Sequence, residues 1–136
     1  MATIHTIELN VTTDRRQETA TIVVSCEVEF SEFEVNTMNQ LGVRYNLKCQ
    51  IQDLDMPYAD PVHRFDGQYL PRVSDGAIRH EHVMFEAVLA TRSLHVFVLG
   101  RDGMFATVTL TNEETGAEVT QRSKFVALDL ANVDSD

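Results

Sequence analysis

A chain of 136 residues, 43% apolar and 24% charged, has the size and make-up of one globular domain that folds without a disulfide or metal staple. Its formal net charge of −10 repels phosphate backbones and anionic headgroups, which sets nucleic-acid and membrane-surface partners aside. The opening MATIHTIELNVTT lacks the basic and apolar regions of a secretory signal, and no run approaches the roughly 18 apolar residues of a membrane helix. The expectation is therefore a soluble, cytoplasmic protein whose two cysteines are free thiols.

Period-two alternation dominates. TIHTIELNV (3–11) places Ile7, Leu9 and Val11 on one face. After a charged loop, TTDRRQE (12–18), the stretch TIVVSCEVEF (21–30) sets Ile22, Val24, Cys26, Val28 and Phe30 against Ser25, Glu27 and Glu29. A period of 3.6 would scatter that apolar set around an axis, so this is a strand with one dry face. SEFEVNTMNQLG (31–42) fits either a bulged strand extension or one helical turn. VRYNLKCQIQD (43–53) alternates again, with Val43, Tyr45, Leu47, Cys49 and Ile51 on its dry side. If the second and third strands form a hairpin, a pairing sum of 75 sets Cys26 opposite Cys49, as buried small hydrophobes rather than nucleophiles.

Residues 56–77 hold all three prolines and form a long connection, with a short edge strand near Gln68–Leu70 that Pro71 limits. EHVMFEAVLA (81–90) gathers Val83, Phe85, Ala87 and Leu89 on one face. SLHVFVL (93–99), apolar on both faces but for His95, reads as a covered central strand. GRDG (100–103) predicts a hairpin into MFATVTLT (104–111), where Met104, Ala106, Val108 and Leu110 alternate with Phe105 and threonines. NEETG (112–116) turns into a last strand whose phase switches near Phe125, the mark of a bulge. The tail ANVDSD (131–136) reads as frayed. Together these elements predict one all-β domain over 1–136. It would be an antiparallel β-sandwich, Ig-like or jelly-roll-like, of seven or eight strands and without a clear helix.

Three groups of residues carry candidate chemistry. In HEHVMFE (80–86), His80, His82 and Glu86 share the wet face of one strand, and imidazole with carboxylate suits zinc, iron, copper or manganese. This stretch resembles the core of the first cupin motif, two histidines two apart and then a glutamate. The resemblance implies a small metal-dependent enzyme ligated by His80, His82 and Glu86. It covers seven residues, and the second cupin motif, a Pro-x-Gly step followed by a histidine, is missing. Asp53, Asp55 and Asp60 stand at a strand end, where sandwich domains can hold calcium between acidic loops. Tyr58, His63, Arg64, Phe65 and Tyr69 in the long connection combine aromatics with an arginine, the usual anchors of protein interfaces.

The reading that best fits the whole chain is a non-enzymatic binding or assembly module. Its partner would be another protein or itself as a homo-oligomer, and it needs no cofactor. The metal-dependent, cupin-like enzyme is the alternative, and a calcium-dependent binding domain the further one.

Overall fold

In the computed structural model, residues 1–53, 61–90 and 103–126 are described. The predicted strand at 93–99, most of the 100–103 hairpin loop, Asp55, Tyr58, Asp60 and the 131–136 tail lie outside them.

Two antiparallel sheets face each other as a β-sandwich. The first carries β1 (Thr3–Asp14), β2 (Thr19–Glu29) and β6 (His80–Ala90), in the order β1-β2-β6. The second is built on β3 (Tyr45–Asp53) and β7 (Met104–Asn112). β8 (Glu118–Arg122) flanks β7, while β4 (His63–Arg64) and β5 (Gln68–Leu70) share the far edge of β3. The dry sides predicted for β2, β3, β6 and β7 meet in one core, with Ile22, Val24, Val28, Leu47, Ile51, Val83, Val108 and Leu110 all buried.

The structure differs from simple alternation and hairpin pairing in three places. The first is β1: its predicted face of Ile7, Leu9 and Val11 meets the core, but a bulge interrupts the strand upstream. Its register against β2 shifts between His5 and Glu8, and Thr6 takes a left-handed φ of 54°. That bulge flips the parity upstream, so Ile4 is buried beside Leu9 although strict alternation sets them on opposite faces.

The second concerns residues 31–42, which form neither a strand extension nor a single turn but a ten-residue helix, α1 (Glu32–Leu41). Ser31 caps it: its Oγ accepts from the Glu34 amide at 3.2 Å, and Glu34 Oε1 accepts from the Ser31 amide at 2.8 Å. Gly42 ends it at φ 72°, a conformation that favours glycine. Met38 anchors the helix in the core.

The third concerns the β2–β3 hairpin. Because α1 carries the chain from one sheet to the other, β2 and β3 never pair. Cys26 lies opposite Val83 and Cys49 opposite Val108, each on its own sheet. Both thiols are free and buried between the layers. Burial pushes the Cys26 thiol up to about 11 and, with the nearby Cys26, the Cys49 thiol up to about 12.

Other expectations hold. Asp14 accepts from the amides of Arg16 and Gln17 in the predicted charged turn. Gly116 turns the β7–β8 hairpin at φ 76°. The phase switch near Phe125 is also real: β8 stops at Arg122, and Val126 rejoins Met104 one residue out of step. Ser123 fills the irregularity. Its amide donates to the Ala106 carbonyl, and its Oγ accepts from the Ala106 amide at 2.8 Å.

Candidate functional site

On β3, Asn46, Lys48, Gln50 and Gln52 point away from the core, and on β7 Phe105, Thr107, Thr109 and Thr111 do the same. They form the outer face of the five-stranded sheet. The β4–β5 segment turns this face into a groove. Arg64 pairs opposite Gln50 and Tyr69 opposite Asn46, so both side chains stand on the outer side. Between them the chain crosses close above β3 at Gly67, where an added Cβ would lie 2.5 Å from Asn46 Oδ1. The resulting groove holds about 500 Å³, with Asn46, Lys48, Gln50 and the three threonines as floor and Arg64, Asp66 and Tyr69 as wall.

Side chains on this face are held in place. The Arg44 guanidinium lies 4.6 Å above the Tyr69 ring, and that of Arg122 lies 5.0 Å above Phe105. Thr107 Oγ1 donates to Gln52 Oε1 at 2.6 Å, and the Thr109 and Thr120 hydroxyls meet at 3.1 Å. The groove therefore presents amides, hydroxyls, cations, the carboxylates of Asp66 and Glu118, and the rings of Phe65 and Tyr69.

The predicted interaction loop divides in two. Arg64 and Tyr69 border the groove. Phe65 borders it too, but its ring lies 5.5 Å from Phe85 of the other sheet, and His63 packs edge-on to Phe65 at 4.7 Å. Phe65 thus pins the wall to the core while its neighbours face out.

His80, His82 and Glu86 lie together on the outer face of the three-stranded sheet, all exposed. His80 Nδ1 stands 2.9 Å from Glu27 Oε1, and its Nε2 stands 3.9 Å from Glu29 Oε2. His5 Nε2 is 3.6 Å from the other Glu29 oxygen. The His82 carbonyl accepts from the Arg72 guanidinium at 2.7 Å. β6 runs against β2 without a register break, which leaves Glu86 about 13 Å beyond His82 at about 3.3 Å per residue. Among the described residues no three His, Cys, Asp or Glu side chains converge as ligands. Asp53, the one described member of the acidic trio, is buried at the end of β3 opposite Met104.

A second concavity of about 390 Å³ opens beside α1, lined by Phe33, Val43, Leu110 and Val119 around a polar floor. Glu34 Oε2 accepts from the Ala2 amide at 2.9 Å and from Tyr45 Oη at 3.1 Å, and Asn112 Nδ2 donates to Tyr45 Oη at 3.3 Å. Burial would raise the Glu34 carboxyl, but hydrogen bonds from Ser31 and Tyr45 outweigh it and hold the group below its ordinary value. Burial, and then the Glu34 charge, push the Tyr45 hydroxyl up to about 12. Nothing local in the sequence linked these residues, since Asn112 lies 67 positions from Tyr45. The groove on the five-stranded sheet was half visible, as the wet positions of two alternating strands.

Neither a protein-family model nor a curated protein matches this chain. Among solved structures, a β-glucosidase 3B from Thermotoga neapolitana, determined with α-D-glucose, is 13% identical with a TM-score of 0.35. The match covers 90% of this chain and 17% of that one. A likeness this loose does not bear on function.

Proposed function

We propose that the chain is a non-enzymatic binding module and that the outer face of its five-stranded sheet is the binding surface. The observation that carries this reading is the groove of about 500 Å³ between β3, β7 and the β4–β5 wall. Its lining combines amide, hydroxyl and cationic groups with the ring of Tyr69, an arrangement suited to holding a partner. The wall is braced from behind by Phe65 on Phe85 and closed from above by Gly67 on Asn46, so the surface is preorganised.

The test is a substitution at the centre of the floor. Thr109→Arg fills the groove from a position on a regular strand pair. Affinity capture by wild type and variant, compared side by side and read with the sedimentation of each purified protein, decides. A partner, whether another protein or a second copy, that wild type holds and Thr109→Arg loses supports the reading. Equal retention by both, with the variant folded, overturns it.

A further inference from the structure

The two outer faces of the sandwich carry opposite charge. On the three-stranded sheet the register turns Glu8, Glu27, Glu29 and Glu86 outward, with His5, His80 and His82 among them. Among the described residues, the cations near it are Arg72, which donates to the His82 carbonyl beside Glu8 and Glu27, and Lys124 beside β1. The five-stranded sheet presents Lys48, Arg64 and Arg122 outward, with Arg44 on the ring of Tyr69, against Asp66 and Glu118. In a chain of net charge −10 with 11 lysines and arginines, four of those cations are gathered on one face.

We infer that the groove face docks onto the acidic outer face of a second copy of this chain, in a head-to-tail contact. The inference rests on the binding-surface reading above and names its occupant. Three features favour this partner. The charges are complementary, and close pairs survive at ionic strengths that screen the overall repulsion between two acidic chains, whose range falls to about 10 Å near 0.1 M salt. The acidic face also exposes Met84 at 57% and Val88 at 60%, apolar surface that a covering sheet would remove from water. The sizes agree: strands of 11 residues at about 3.3 Å each, three abreast at about 4.8 Å, give roughly 500 Å² per partner. Twice that, roughly 1,000 Å², reaches the lower limit of specific interfaces and describes a weak, reversible contact. Because the two surfaces differ, the contact is heterologous and propagates into rings or open chains.

Charge reversal tests this. One variant carries Lys48→Glu, Arg64→Glu and Arg122→Glu. The other carries Glu27→Lys, Glu29→Lys and Glu86→Lys. Sedimentation equilibrium at about 0.1 M salt should show wild type self-associating, and each variant alone weakened by about 100-fold or more, the usual effect of like charges in contact. An equimolar mixture of the two should recover wild-type association, because each acidic face then meets a basic one. About 0.5 M salt should dissociate the wild type. If a triple variant fails to fold, Lys48→Glu and Glu86→Lys, both at exposed positions, make the same comparison. A monomeric wild type overturns the inference while the capture experiment still judges the binding surface. A reversed variant that associates like wild type, or a mixture that does not recover, overturns the inference alone.

Discussion

Cys26, Cys49 and Tyr45 keep their protons to unusually high pH because water is excluded around them. The thiols move from an ordinary 9.0 to about 11 and about 12, and the phenol from 10.0 to about 12. The folded chain binds more protons than the unfolded chain between those limits, so stability should be full below pH 9 and fall progressively as pH rises toward 12. Urea midpoints measured across that range check this. The double variant Cys26→Ala/Cys49→Ala should lower stability at neutral pH and flatten the alkaline slope; an unchanged slope would assign it elsewhere. Replacing either cysteine by serine should cost roughly 1–3 kcal/mol, because a hydroxyl would be buried where a thiol packs. The histidines of HEHVMFE make the opposite case. Both are exposed, and the double variant His80→Ala/His82→Ala should change stability by less than about 1 kcal/mol. Metal analysis of protein purified without chelators or a histidine tag runs alongside: stoichiometric zinc, iron, copper or manganese lost in the double variant would restore the enzyme alternative.

At the scale of elements, the chain signalled more than alternation alone reveals. Ser31-Glu32-Phe33-Glu34 has the Ser-x-x-Glu spacing of a capping box, and Gly42 stands where a helix would end. The signal was legible but muted, because Phe33 and Leu41 are exposed at 75% and 76% and blur the apolar stripe by which helices are recognised. Ser31→Ala should destabilise the fold by about 1 kcal/mol through loss of the cap, read as a lower urea midpoint. The bulge at Thr6 was not legible, since no glycine or proline marks it and the parity of Ile4 is set only by what β2 offers across the ladder. At Gly67 the β4–β5 wall lies close over the Asn46 side chain. Gly67→Ala would meet the end of the Asn46 side chain, which can turn aside, so it should cost less than about 1 kcal/mol while it reshapes the groove floor. The same variant should weaken binding at the groove in the capture experiment.

At the scale of the molecule, two sheets share one core tied by Phe30 on Tyr45 and Phe65 on Phe85, with ring centroids 5.0 and 5.5 Å apart. Unfolding should therefore be a single transition in which far-UV circular dichroism and tyrosine fluorescence coincide. Two separated transitions would mean that the sheets fold independently.

What the sequence determined by itself was local. A side chain's position in the period of two fixes which face of its strand it lies on, and this placed the dry sides of β2, β3, β6 and β7 correctly. It also set Arg64 and Tyr69 in the long connection between β3 and β6, where both border the groove. Which strand lies beside which was decided only by the tertiary structure. Backbone hydrogen bonds are the same for any neighbour, and the two inner faces of a sandwich have the same apolar composition. A β2–β3 hairpin and a crossover through α1 thus bury Cys26 and Cys49 equally well on paper. The groove exists only because β3 found β7 on one side and β4 and β5 on the other, gathering residues from 46 to 111 onto a single surface.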